Sequence, residues 1–369
     1  MTPAQPGRAV VRLIGMRAVK AAAAAAIACV AALSACMTSQ HSPVNVPAGT
    51  SAPRPSGMPG FYLVVDGLDV VVRASADGHV TGTAPIPVPT GAGSSWVQGE
   101  AVGSADGRHF VIIMSQVNQI DVAFVSLFQL AVSPDGQPGR LGHLTFDSRG
   151  ESVTGAALSP DGRLLALSLL DVFPAWRLHG SVEVINLASG ATRTWSGQAT
   201  PGYWPGIPAW ASNSTVAVPW WHSAAGYLDP GQITGIRHLD IAAPGGNLAA
   251  APLAAFPAPV PVAQSAMITP GGGAVIASSC RAVRHTVTAR VVELSAANGR
   301  LIRVLRTHAT RFGTDAAAQA MVSSPCTVLS VADADHVLVQ AFAFGRIDNG
   351  VFTALPATTP RTLPVSAAW

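Results

Sequence analysis

The chain has 369 residues, 49% of them hydrophobic and only 11% charged. Its 22 basic and 19 acidic residues give a formal charge of +3, but four of the basic residues and no acidic ones fall in the first 35 positions. The remainder carries 18 basic against 19 acidic residues, a net of −1, which leaves no electrostatic case for a nucleic-acid partner.

The first predicted element is an export signal over residues 1–35. Arg8, Arg12, Arg17 and Lys20 precede the apolar run AAAAAAIACVAALSA, the order of a positive n-region and a short h-region. A permanent helical span needs roughly 20 apolar residues to cross about 30 Å of hydrocarbon, so this run predicts a transient signal. Translation could begin at Met1 or at Met16, which opens a more compact signal. The run ends in Leu33-Ser34-Ala35-Cys36, which resembles the lipobox of bacterial lipoproteins. That resemblance implies cleavage before Cys36, a diacylated Cys36 thiol, and a membrane partner reached through that lipid from the extracytoplasmic side. A single lysine, Lys20, amid abundant Ala, Gly and Pro points to a GC-rich genome, as in actinobacteria.

Residues 36–58 follow as the acylated cysteine and a tether. MTSQHSPVNVPAGTSAPRPSGM is rich in Ser, Pro and Thr and nearly free of large apolar groups, so it cannot bury enough surface to fold. The body is then residues 59–369. Cys29 leaves with the signal and Cys36 carries lipid, so Cys280 and Cys326 remain, and a remaining pair in an exported protein predicts a disulfide.

The body consists of short β-branched and apolar runs broken by Gly, Asp, Asn, Ser and Pro, which predicts an all-β fold. Two turn series interleave along it. One follows a small apolar strand, as in GEAVGSADGRHFVIIMS and GAALSPDGRLLALSLL. The other separates two amphipathic strands, and its closing glycines are Gly78, Gly136, Gly190, Gly246, Gly299 and Gly350, spaced 58, 54, 56, 53 and 51 residues apart. Each unit is a four-stranded meander that cannot bury both faces alone, and stacking the units in a ring does so. LSPDGRLLALSL and VEVINLASGATRTW resemble the WD-repeat-like propellers of secreted bacterial proteins, without the WD dipeptide. The expected fold is a β-propeller of six four-stranded blades, with seven as the alternative. The first unit lacks an innermost strand, and the C-terminal LPVSAAW is expected to supply it. In that arrangement Cys280 ends the second strand of blade five and Cys326 opens the innermost strand of blade six, which permits the bridge.

No motif carries catalytic chemistry. There is no G-x-S-x-G, C-x-x-C, H-E-x-x-H or G-x-x-x-x-G-K, and the ten histidines show no metal-ligand spacing. Asp333-Ala334-Asp335-His336, Asp106 and Asp161 read as turn residues. No cofactor, metal or catalytic residue is therefore expected. The feature above background is aromatic. GSSW, LLDVFPAWRLHG, TPGYWPG and PWWHSAAGYLDPGQ are expected to be loops on one face of the ring. They would present Trp96, Trp176, Tyr203, Trp204, Trp220, Trp221 and Tyr227 with the polar groups Arg177, His179, His222 and Asp229. The competing expectation is that these rings pad long loops against neighbouring blades. Two functions remain: a non-enzymatic module binding a protein, peptide or glycan ligand, or a lactonase-like propeller hydrolase. The second needs several carboxylates at the channel mouth to hold calcium. The positions expected there, 98–100, 153–155, 205–207 and 264–266, supply only Glu100.

Overall fold

The computed structural model describes residues 57–87, 96–117, 123–146, 151–171, 179–196, 203–222, 232–260, 265–314, 326–341, 343–356 and 366–369. They form strands almost throughout, with a single 3-10 turn at Leu248–Ala250. Blade one takes β1 (Phe61–Asp66), β2 (Asp69–Ala74) and β3 (Val80–Pro85); blade two takes β4 (Trp96–Gly103), β5 (His109–Val117), β6 (Ala123–Ala131) and β7 (Gly142–Leu144). Blade three is β8 (Ser152–Leu158), β9 (Leu164–Asp171), β10 (His179–Asn186) and β11 (Thr192–Ser196). In blade four β12 (Tyr203–Pro205) and β13 (Ala209–Ser212) share the inner position beside β14 (Thr215–His222) and β15 (Gln232–Asp240). From there β16 (Gly246–Asn247) crosses to pair in parallel with β11 of blade three, and β17 (Leu253–Val260) returns to close blade four. Blade five is β18 (Ser265–Ile268), β19 (Ala274–Val283), β20 (Thr286–Ser295) and β21 (Leu301–Arg311). Blade six is β22 (Thr327–Val331), β23 (His336–Ala341), β24 (Ala343–Asp348) and β25 (Val351–Ala354).

The last strand, β26 (Ser366–Ala368), pairs antiparallel with β1 through Leu63↔Ala368, Val64↔Ala367 and Val65↔Ser366. The C-terminus thus supplies the missing inner strand of blade one, and the ring has six blades. Trp369 locks the joint: it is buried, its indole Nε1–H donates to Ser75 Oγ at 3.2 Å, and its amide donates to Ser330 Oγ of blade six at 3.2 Å. Gly103 of blade two is required beside it, because a Cβ there would collide with the Trp369 carbonyl.

Each blade has two apolar faces, and the core lies between blades. Leu63 and Val70 meet Phe110 and Ile112 between blades one and two. Val111 and Ile113 meet Leu165 and Leu167 between two and three, and Val182 and Val184 meet Val216 and Val218 between three and four. Ile233 and Ile236 meet Ile268 and Val275 between four and five, and Ile276 and Val291 meet Val337 and Val339 between five and six. Tyr62 and Val64 with Leu338 and Phe344 close the ring. Fully burying one such aliphatic side chain stabilises by about 1.5–3 kcal/mol, so every joint is held by several. Buried hydroxyls add direction: Ser168 Oγ donates to Gly206 O at 2.7 Å across blades three and four, and Ser265 Oγ to Val328 O at 3.3 Å across five and six.

The turns fall where the sequence places them. Gly78, Gly107, Gly136, Gly162, Gly190, Gly299 and Gly350 all have positive φ, between 64° and 84°. Blade four departs from the repeat: Gly246 closes no tight hairpin but sits in β16, the segment that covers blade three. Cys280 and Cys326 form the expected disulfide with Cα atoms 5.9 Å apart, joining β19 to the residue before β22.

Candidate functional site

The six inner strands converge on a central cavity of about 120 Å³. Its wall takes at least one residue from every blade, among them Val102, Leu158, Trp210, Met267, Leu329 and Ala368. Gly57 and Pro59, where the described body begins, line it too. Sites for drug-sized ligands run to roughly 300–1,000 Å³, so this space holds a few waters or a small apolar group. Ser104 Oγ and Ser330 Oγ, the hydroxyls in the lining, already serve the fold: Ser104 donates to Asp106 and Ser330 accepts from the Trp369 amide.

The carboxylates near the channel are equally occupied. Glu100 lies on β4, and burial pushes its carboxyl up from 4.5 to about 7 despite the hydrogen bond it accepts from the Ala156 amide of blade three. Asp106 and Asp161 build turns. In each, a serine two residues earlier donates to Oδ1 (2.5 and 2.6 Å), which also accepts the amide of Arg108 or Arg163. For Asp161 the Ser159 hydroxyl is the main cause that holds the carboxyl below its ordinary value. Asp333 accepts the amides of Asp335 and His336, both at 2.8 Å, and faces His336 Nδ1 at 2.7 Å. Asp335 in turn pairs with Arg303 of blade five. Among the described residues no three His, Cys, Asp or Glu side chains stand together as a metal could require.

The aromatic positions divide. Tyr203, Trp204, Trp220, Trp221 and His222, expected in loops, lie in paired strands, with Tyr203↔His222, Trp204↔Trp221 and Pro205↔Trp220 as cross-strand neighbours. Three indoles are buried: Trp204 is 8% exposed, Trp220 7% and Trp221 9%. Trp204 and Trp221 stack at 6.5 Å, 10° apart, in the core shared with blade five, while Trp220 faces the core shared with blade three. The Arg237 guanidinium sits 4.6 Å above the Trp220 ring, a cation–π contact. Tyr203 and His222, half-buried with ring centroids 4.3 Å apart, are the members that reach solvent. The physical reason is strand length: TVAVPWWH continues as one strand through Pro219, whose carbonyl accepts the Gly206 amide at 2.8 Å. Trp96 opens β4 opposite Val117, and His179 opens β10 opposite Asp171. Trp176, Arg177, Tyr227 and Asp229 lie outside the described residues, as does Cys36.

Sequence reasoning missed a charged surface on blade five. Residues 265–314 hold seven arginines (281, 284, 290, 300, 303, 306 and 311) and one acid, Glu293. The arginines are spread over three strands and the two turns between them, so no local run announces them, and the register brings Arg281, Arg290 and Arg311 to one face.

No protein-family model matches the sequence, and comparison with curated proteins finds no relative. Among solved structures the chain is similar to a TolB-like protein described as putative, from Agrobacterium tumefaciens (14% identity, 69% of this chain and 80% of that one, TM-score 0.40). It is also similar to the Cps50 (Swd1) β-propeller domain of Myceliophteria thermophila (13% identity, 75% and 72%, TM-score 0.35). A third similar structure is a 6-phosphogluconolactonase, also so described, from Bacteroides uniformis (9% identity, 83% and 98%, TM-score 0.40).

Proposed function

We propose that the chain is an extracytoplasmic lipoprotein, anchored by lipid on Cys36, whose propeller is a non-enzymatic binding module for an envelope protein, peptide or glycan. In this reading residues 1–35 are the signal, and residues 36–58 form an arm ending near Gly57. The anchoring half rests on the Leu33-Ser34-Ala35-Cys36 motif. The disulfide supports export, because such bonds persist in oxidising compartments. The single observation that carries the binding half is the lining of the central cavity: its wall is mostly alanine, valine, leucine, methionine, proline and tryptophan, and its two hydroxyls, Ser104 and Ser330, are engaged by Asp106 and the Trp369 amide, where a hydrolase would present a reactive constellation.

The test is direct. The purified chain, supplied with calcium and a panel of lactones and aryl esters, is expected to leave them intact. Calcium-dependent turnover abolished by Glu100→Gln would replace the binding reading with the hydrolase one.

A further inference from the structure

The joint that closes the ring, between blades one and six, buries charge among its apolar side chains. Tyr62 is fully buried, and Arg73 and Arg346 are only 6% and 8% exposed. Tyr62 and Arg73 are cross-strand neighbours on β1 and β2 and so share a face. That face is turned to blade six, where the Tyr62 ring meets Phe344 with centroids 5.9 Å apart. Phe344, Arg346 and Asp348 alternate along β24, so the latter two take the same side of their blade as Phe344. The turn at Gly78 draws the first pair together. Arg73 Nη1 donates to the Gly78 carbonyl at 2.6 Å, and a Cβ on Gly78 would stand 3.1 Å from the Tyr62 hydroxyl.

Tyr62 Oη, Arg73 Nε, Arg346 Nη1 and Asp348 Oδ1 are all buried without a hydrogen-bond partner in the protein. Buried polar atoms left in that state cost stability, and buried charge costs most. Arg346 is answered through Nε by Asp348 at 2.6 Å. Elsewhere Arg237 lies over the Trp220 ring and Arg306 over Phe352. Arg73 has the Gly78 carbonyl but no carboxylate within ion-pair reach among the described residues, since Asp77 of the same turn pairs with His79 at 2.6 Å. Two guanidiniums thus face one carboxylate. The balance is also one of donors: both guanidiniums only donate, and burial pushes the Tyr62 phenol up to about 12, which keeps its proton in place. His336 Nε2 on β23, the strand paired with β24, is a further buried atom without a partner, while its Nδ1 faces Asp333. A water brings two hydrogens of its own, which a nest of donors cannot accept. An anion accepts from every donor and answers the charge.

We infer that the joint between blades six and one binds a small monovalent anion of the chloride class, held by the Tyr62 hydroxyl and Arg73 Nε with the Arg346 guanidinium facing it. The donors are sealed from solvent, which suits a single-atom anion and excludes a bulky organic one. Because the site takes groups from the first and last blades, the ion tightens the closure of the ring. A ligand that binds only the folded chain raises its stability in proportion to the logarithm of ligand concentration above its dissociation constant.

The test replaces sodium gluconate stepwise by sodium chloride at constant ionic strength and follows thermal unfolding of the full-length chain. A saturable rise of about 2–4 °C is expected, and bromide is expected to act as chloride does. Arg73→Met is expected to abolish the rise, whereas Arg290→Met, which removes an exposed charge, is expected to keep it. A second measurement needs no variant to fold: crystals of the unmodified chain grown in bromide, with data collected at the bromine edge. An anomalous peak in contact with Arg73 and Tyr62 is expected. No chloride response in the unmodified chain, an equal response in Arg73→Met, or bromide found at exposed arginines alone, an adventitious ion only, would each overturn the inference.

Discussion

Blades four and five stand side by side and treat their distinctive side chains in opposite ways. Blade four folds Trp204, Trp220 and Trp221 into the cores it shares with its two neighbours. Blade five turns Arg281, Arg290 and Arg311 outward on long strands. Three of the aromatics that look like a binding patch in the sequence, Trp204, Trp220 and Trp221, are buried in the core, and the exposed arginines of blade five are residues that no motif marks. Burial explains the first half: an indole removes a large apolar area from water, and Gly206, between β12 and β13, lacks the Cβ that would collide with the Trp221 ring. Register explains the second, since it brings together arginines separated by up to 30 positions, from 281 to 311.

The largest break in this comparison is Trp221→Ala. The buried indole stacks on Trp204, and its loss is expected to cost about 3–5 kcal/mol in thermal or denaturant unfolding. A change below about 1 kcal/mol would return the aromatics to the surface role, since only exposed positions are that tolerant. Next is the bridge. Replacing both Cys280 and Cys326 by Ser opens a link across 46 residues between blades five and six. It is expected to cost about 2–4 kcal/mol, read as a lower denaturant midpoint that matches the reduced native chain.

A pH effect follows from Glu100. Its carboxyl is raised in the folded state to about 7 from 4.5, so the native form holds its proton where the unfolded form has lost it. The stabilisation is fully present below pH 4.5 and is lost as pH rises through about 7. Glu100→Gln is therefore expected to flatten stability over that window; an unchanged slope would mean the carboxyl is hydrated. Smaller still, Ser159→Ala removes the hydroxyl that orders the Asp161 turn and is expected to cost about 1 kcal/mol. The smallest effect sharpens the comparison from the other side: Arg281→Ala and Arg290→Ala are expected to stay within about 0.5 kcal/mol of the parent chain. A larger loss would make blade five's arginines structural like blade four's indoles.

What was legible follows the physics. The six units are readable because a tight turn needs φ > 0 and glycine supplies it, so Gly78, Gly136, Gly190, Gly299 and Gly350 mark the turns directly. The C-terminal closure is readable because the first unit lacks one strand, and the disulfide because closure fixes which strand ends meet. TVAVPWWH was less legible: Pro219 suggests a break in a strand, yet the strand runs through it. The blade-five surface was invisible, because which face a residue takes depends on a cross-strand register that depends on turn length.

The most direct measurement of the central claim is metabolic labelling with an alkyne fatty acid in cells producing the full-length chain or its Cys36→Ala variant, followed by membrane fractionation. The account predicts a labelled, membrane-bound protein lacking residues 1–35, and an unlabelled variant that leaves the membrane fraction by that route. A wild-type chain that carries no label, or a Cys36→Ala variant still acylated at the membrane, would contradict it.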